Sequence, residues 1–333
     1  MSSHTLSHRF SVIRQLGKGT FGKVFLVTDA VSGATRALKR TQKWRKKESR
    51  EVLCLEIGKE SPNLISAEEV FYSYTPSGFM VQNILMENAG YTLHRYVASH
   101  LALRQKDQTH NIEASTAISI AKQVCNGLFA LHRRAVAHRD LKPENVLIKD
   151  YGGQILARIC DFGSSKALTN QGCPSMPYIC SRWYRAPELL LGSTNYTVAV
   201  DLWSLGCVLA ELILLRPLLE CEPHNQKHGM QEQKPIRCLG EPFQILKISE
   251  LLGAPTRVDT ESLCTGCPER AKALASSIFK QMVGLAPLPL HDLLLSVIGI
   301  EGKPLVDVVC QLLRWNPRER IPVKTILDGH YLD

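Results

Sequence analysis

Eight residues constrain this chain more than any other stretch: His138-Arg139-Asp140-Leu141-Lys142-Pro143-Glu144-Asn145. Asp140 can accept a proton from a hydroxyl. Lys142, two positions on, can neutralise an anion beside it, and Asn145 offers an amide oxygen to a hard cation. A second acid, Asp161 of Asp161-Phe162-Gly163, follows a short apolar run, Val146-Leu147-Ile148. An exposed acid beside an arginine is usually only a surface pair. Two carboxylates, an amide and a lysine in this order suit phosphoryl transfer, which depends mostly on positioning and charge neutralisation.

The chain has 333 residues, enough for two compact lobes with a large shared core. Its net charge of +9 and pI near 9.0 permit acidic partners without choosing one. The clearest basic run (Arg36, Lys39, Arg40, Lys43, Arg45, Lys46, Lys47, Arg50) has only Trp44 interleaved, which argues against a nucleic-acid groove. Eleven cysteines show no framework spacing, as expected for free thiols in a reducing compartment. Cys264-Thr265-Gly266-Cys267 has no second pair beside it to complete a zinc site, and His224 and His228 have no Cys or acid pair nearby. The N-terminus has no apolar signal segment, and the longest apolar run, Leu202 to Leu215, contains Glu211 and is too short to span a bilayer. The expected location is the cytoplasm, with access to the nucleus.

Near the N-terminus, Phe10 to Leu16 reads as a strand entering Gly17-Lys18-Gly19-Thr20-Phe21-Gly22-Lys23-Val24. The glycines let the backbone approach a triphosphate and present N–H groups to it. In a dinucleotide fold a helix follows such glycines. Here Val24-Phe25-Leu26-Val27 follows and reads as a strand. Ala34 to Lys39 is a third strand, Asn63-Leu64-Ile65 is expected to open a fourth, and Phe79 to Met86 is a fifth. Helices are expected over 47–56, 93–105 and 113–133, the last with a buried face at Ile118, Ala121, Cys125, Leu128, Leu131 and His132. Asp201 suits the N-cap of the most apolar helix. Residues 221–240 are polar, lack periodicity and read as an exposed insertion.

The run from His138 to Asn145, with Asp161-Phe162-Gly163 and Ala186-Pro187-Glu188, resembles the catalytic machinery of eukaryotic protein kinases. The resemblance implies an α+β bilobal fold: a small β-rich N-lobe (10–86), a hinge (87–90) and a large, mostly helical C-lobe (91–332). ATP and Mg2+ are the implied cofactors. Leu16, Gly17, Lys18, Gly19, Thr20, Phe21, Gly22, Lys23 and Val24 would cover the nucleotide. Ala37 and Leu147 would sandwich the adenine, the backbone of Glu87 and Ala89 would pair with its edge, and Met86 would guard the pocket behind it. Lys39 would hold phosphates and Glu51 would hold Lys39, with Glu56 the second candidate. Asn145 and Asp161 would bind the metal, Asp140 would take the substrate proton, and Lys142 would neutralise the transferring group. Asp201 would also bind the catalytic-loop backbone, and Arg320 would pair with Glu188.

Tyr178-Ile179-Cys180-Ser181-Arg182-Trp183-Tyr184-Arg185 resembles the glycogen synthase kinase-3 (shaggy) family of the CMGC group. Ser164-Ser165-Lys166, Ser49-Arg50-Glu51 and Leu252-Gly253-Ala254-Pro255-Thr256 match it too. That resemblance implies a second anion pocket, formed by Arg50, Arg139 and Lys166, for a phosphate already present on the substrate. It also implies phosphorylation of Tyr178, paired with Arg182 and Arg185, and a scaffold partner on the C-lobe. Pro177 and Ser49 depart from the family pattern, and the insertion lies near the scaffold-docking region. The alternatives are a proline-directed kinase of the cyclin-dependent or mitogen-activated type, and a non-catalytic kinase-fold scaffold. Residues 169–178 contain no Thr-x-Tyr pair, no cyclin-type helix signature precedes Glu51, and every catalytic position is filled.

Overall fold

The computed structural model describes residues 9–19, 22–44, 49–168, 179–220, 241–282, 284 and 286–333. The first of its two lobes is built on strands β1 (Phe10–Gly19), β2 (Gly22–Asp29) and β3 (Thr35–Lys43), helix α1 (Arg50–Gly58), and strands β4 (Ala67–Tyr74) and β5 (Met80–Glu87). The strands form one antiparallel sheet in the order β1-β2-β3-β5-β4. Directly opposed residues of antiparallel strands share a face. The register therefore sets Gly17, Val24, Lys39 and Ile84 in one row, and Leu26, Ala37 and Met86 in the next row of that face. The opposite face carries Phe25, Val27, Leu38 and Leu85, which pack with Phe10 and Phe71 into a small core of their own. Alternation along each strand thus separates a cleft face from a core face.

The fourth strand begins later than expected. Asn63-Leu64-Ile65 does not open β4; it is a loop in which Leu64 bridges to Ile159 and Ile65 donates its N–H to the Ile159 carbonyl at 2.9 Å. Leu64 and Ile65 are apolar and buried, so local sequence marks them as strand, but their partner lies in the other lobe.

After the hinge come β6 (Tyr91–Thr92), α2 (Leu93–Lys106), α3 (Ala114–His132), β7 (Val136–Ala137), β8 (Val146–Asp150), β9 (Ile155–Ile159) and β10 (Lys166–Ala167). Then follow α4 (Pro187–Leu190), α5 (Ala199–Leu214), α6 (Glu241–Leu252), α7 (Arg257–Leu263), α8 (Glu269–Gln281), α9 (Leu290–Ile298), α10 (Lys303–Leu312) and α11 (Val323–Asp328). The α3 residues Ala117, Ile120, Ala121, Val124, Cys125, Leu128 and Leu131 recur at three- and four-residue steps and are buried. Ile118 and His132, expected on that face, sit half-buried at its margin. Helix α5 is buried along its whole length and packs on α10 at the centre of the C-lobe. Each of its leucines and valines stabilises the fold by about 1.5–3 kcal/mol through burial.

Candidate active site

Lys39 is 6% exposed, in the row with Val24 and Ile84. Its ammonium donates to the Glu51 carboxylate from α1 and, at 2.7 Å, to Asp161. Burial alone would lower the Lys39 pKa, but the two carboxylates outweigh it and the net shift is upward. Burial likewise pushes Asp161 up, while the attraction of Lys39 pulls it further down, so the carboxylate stays ionised. The alternative partner, Glu56, is exposed and pairs with Lys59 instead.

Asp201 organises the loop between β7 and β8. It lies inside the first turn of α5, whose N-cap is Val198, so it is not the helix cap expected from its position. Its carboxylate accepts from the backbone N–H of His138 (2.7 Å) and Arg139 (2.8 Å), and lies 2.9 Å from the His132 ring. Burial raises the Asp201 pKa, and the contacts with His132, His138 and the Arg139 N–H together more than reverse this. These bonds hold Arg139 at φ +68, in the left-handed region; Asp161, at φ +60, is there too. Such backbone is costly for non-glycine residues and persists where surrounding contacts over-determine it. The His138 ring bridges to the Cys160 carbonyl at 3.0 Å and meets the buried Phe162 ring edge-on, which joins the two acid-bearing loops.

The Asp140 carboxylate accepts from the Ser181 backbone N–H at 3.1 Å and lies 3.2 Å from the Lys142 ammonium. Lys142 also donates to the Ser181 hydroxyl at 2.9 Å. Asn145 directs its amide N–H groups at Asp140, at 2.7 Å to the carbonyl and 3.2 Å to the carboxylate, which leaves the amide oxygen for a cation. The Asp161 side chain is 41% exposed, so its carboxylate is open to a hard cation.

These groups fit a nucleotide with a divalent cation. Val24, Ala37 and Met86 are half-buried on the cleft face, and Leu147 is half-buried on β8. Ala89 is buried. Leu16, Lys18 and Lys23 are exposed. A side chain placed at Gly17 or Gly19 would meet no protein atom within 4 Å. Packing therefore does not demand glycine there, whereas close approach of a ligand would. At Gly22 the requirement is internal, since φ is +140 and a Cβ would lie 2.3 Å from the Arg40 carbonyl oxygen. Residues 10–332 match the protein kinase domain. The chain belongs to that family.

The kinase domain is also 31% identical over 332 residues to the probable serine/threonine-protein kinase glkA of Dictyostelium discoideum. That alignment covers 100% of this chain and 60% of the relative, so the chain spans well under the relative's full length. The bilobal α+β architecture expected from the motifs is the one observed.

Of the other expected positions, Thr20, Phe21, Tyr178 and the insertion 221–240 lie outside the described residues. Arg139 is 8% exposed and donates to the Ser164 carbonyl (2.7 Å) and the Tyr196 hydroxyl (2.9 Å). Lys166 pairs with Ala137 across the two-stranded β7–β10 ladder. Arg50 is exposed at the start of α1, which packs against Phe162–Ser164. Arg320 and Glu188 form a buried, two-pronged ion pair at 2.8 Å per prong. Among the described residues no three His, Cys, Asp or Glu side chains gather as a metal site, and Cys264 and Cys267 are free thiols. No helix is long and apolar enough to cross a membrane among the residues described. Sequence reasoning gave no role to Ser181 or Tyr196. Their partners, Asp140 and Arg139, are 41 and 57 residues away, and no local spacing announces either contact.

Proposed function

We propose that this chain is a serine/threonine protein kinase that transfers the γ-phosphoryl group of ATP to hydroxyls of protein substrates. The observation that carries it is the joint arrangement of two clusters: Lys39 held by Glu51 and Asp161, and Asp140 held by Lys142, Ser181 and Asn145. The similarity to a probable serine/threonine-protein kinase of Dictyostelium discoideum supports the serine/threonine class. ATP supplies the phosphoryl group, and Mg2+ neutralises its oxygens. Lys39 orients the phosphates and Glu51 fixes Lys39. Asn145 and Asp161 would hold the metal. Asp140 takes the acceptor proton, aimed by Ser181, and Lys142 offsets charge on the transferring group. Residues 16–24 would cover the nucleotide, and Ala37, Leu147, Met86 and the backbone of Glu87 and Ala89 would hold its base.

Within that activity the glycogen synthase kinase-3 resemblance favours primed substrates, which carry a phosphate four residues after the acceptor. Lys166 pairs with Ala137, two residues before Arg139, and Arg50 opens the helix packed on the segment whose Ser164 carbonyl accepts from Arg139; this arrangement supports the assignment. Charge-assisted bonds from three cations would give a preference of roughly 30- to 1000-fold. Tyr178 is the proposed phosphosite. The nearby Arg185 already donates to the Ile179 and Cys180 carbonyls, at 2.8 Å each. A scaffold protein on the C-lobe and residence in the cytoplasm and nucleus complete the reading.

Kinetics with matched peptides, with and without the priming phosphate, test the preference. Arg50→Ala should remove it, and equal kcat/KM for the two peptides on the unaltered enzyme would refute it. Asp140→Asn should lower turnover by orders of magnitude while nucleotide affinity is retained. Full activity of that variant would overturn the kinase assignment of Asp140.

A further inference from the structure

Cys264-Thr265-Gly266-Cys267 belongs to none of the catalytic motifs. It links the end of α7 to Pro268, the N-cap of α8. The Cys267 N–H donates to the Cys264 carbonyl at 3.1 Å, which closes a four-residue turn. Gly266 has φ +72, as the third residue of a type II turn requires. Such a turn holds its first and fourth Cα atoms within about 7 Å. A disulfide spans about 4.4–6.8 Å between Cα atoms, so the main chain already sets the two cysteines at bridging range. Both are free thiols. Cys264 is half-buried, while Cys267 is 7% exposed and its Sγ donates to the Leu263 carbonyl at 3.4 Å. Burial pushes the Cys267 thiol up to about 11 and the Cys264 thiol upward. The Lys272 ammonium, which donates to Glu269 at 2.7 Å, opposes both shifts without cancelling them.

The same turn is docked on the loop that follows α4. The Thr265 carbonyl accepts from the Ser193 hydroxyl at 2.7 Å. The Gly266 carbonyl accepts from the Thr194 N–H and from its hydroxyl, at 3.3 Å each. A Cβ at Gly266 would stand 2.8 Å from the Asn195 Cβ, so the two segments touch at main-chain range. The Ser193 N–H donates in turn to the Glu188 carbonyl of α4 at 2.9 Å. The two residues between the cysteines are therefore the ones that seat this loop. We propose that Cys264 and Cys267 are a redox dithiol, which a low-molecular-weight disulfide such as oxidised glutathione closes into an intramolecular disulfide that stiffens the seat of the 193–195 loop. The more accessible Cys264 thiolate attacks one sulfur of the glutathione disulfide, forms a mixed disulfide and releases the first glutathione thiolate. The Cys267 thiolate then attacks the Cys264 sulfur and releases the second. The two thiol protons pass to the released thiolates, and two electrons leave the protein for glutathione. Because the net shift of both thiols is upward, the reduced pair gains no stability by ionising, which favours the disulfide at equilibrium.

The test uses the full chain, incubated with oxidised glutathione at about pH 8, where thiolates begin to form, and alkylated without reduction. Peptide mapping of the unaltered protein should find Cys264 and Cys267 joined, with two hydrogens lost. Cys264→Ser should abolish the bridge. Cys267→Ser should instead leave glutathione on Cys264, since no thiol remains to displace it. Bridge formation should slow amide exchange at 193–195 roughly three- to tenfold, and dithiothreitol should restore the original rate. With both cysteines replaced by serine, the oxidant should leave exchange at 193–195 unchanged, which separates this pair from the other thiols. Two alkylated cysteines in the unaltered protein after oxidation, or glutathione retained on its Cys264, would overturn the dithiol. A bridge that forms with no change in exchange at 193–195 would overturn its coupling to the loop after α4. The mapping of the unaltered protein needs no variant to fold, so it decides the first point by itself.

Discussion

Glu211 illustrates how far a single side chain can be pushed by its surroundings. It lies on α5, 2% exposed, and accepts a hydrogen bond of 2.6 Å from the Tyr184 hydroxyl. Burial pushes its carboxyl up to about 7; the Tyr184 bond opposes the shift, and the negative charges of Glu144 and Glu220 add to it. A raised carboxyl pKa means that the folded state keeps a proton that the unfolded chain has already released. Below the ordinary value of 4.5 the group costs nothing. Between there and about pH 7 the unfolded state binds fewer protons, so stability falls as pH rises, and the full penalty stands above that range. The size of that penalty is on the order of 3 kcal/mol. Glu211→Gln keeps an acceptor for Tyr184 and removes the charge. The variant should be more stable than the parent by about 1–3 kcal/mol at pH 8 and lose that advantage by pH 5. Urea titrations at the two pH values read this directly, and an equal difference at both would show that the charge is not the cause.

At the level of elements, the hinge and the glycine strand make opposite demands on the same residue type. Gly90 has φ +91, and a Cβ there would stand 2.1 Å from the Ile148 carbonyl oxygen. Gly90→Ala should therefore destabilise the protein by about 2–4 kcal/mol, measured by denaturant unfolding, since it combines strained backbone with a clash against main chain. Gly19→Ala meets open space. It should leave stability within about 0.5 kcal/mol while weakening nucleotide binding, because its constraint comes from the ligand. A large stability loss at Gly19 would contradict this distinction. The same scale explains the misread fourth strand. Leu64 and Ile65 carry strand-like residues, but they are buried by a bridge to Ile159, 95 residues along the chain, and local propensity yields to that contact.

Across the whole molecule, the Glu188–Arg320 pair ties α4 to the segment between α10 and α11 over 132 residues of chain. Arg320 also donates to the carbonyls of Arg314, Ala199 and Trp315, and stacks over Trp203 with its guanidinium 5.3 Å from the ring centre. Removing one partner of such a pair strands a buried charge, at a cost of about 3–5 kcal/mol. Arg320→Met should lower the melting temperature by several degrees, and Glu188→Gln should do so less, since an amide can still accept from the fork. A melting temperature unchanged in Arg320→Met would mean that the pair carries no net stability.

The amino-acid order alone determined the chemistry: which acids, amide and lysines could serve a phosphoryl transfer, and the strand after the glycines that distinguishes this loop from a dinucleotide turn. These features are local, because their residues act from fixed offsets along one loop or strand. Tertiary structure decided which groups meet. It chose Glu51 over Glu56 as the partner of Lys39, because only Glu51 lies on the buried face of α1. It set Asp201 inside the first turn of α5 instead of at its cap, while its carboxylate takes the expected bonds from the His138 and Arg139 backbone. It brought Ser181 to Asp140 and Tyr196 to Arg139. Most of these contacts join residues far apart in the chain, where burial and hydrogen-bond geometry, not local spacing, decide which groups meet.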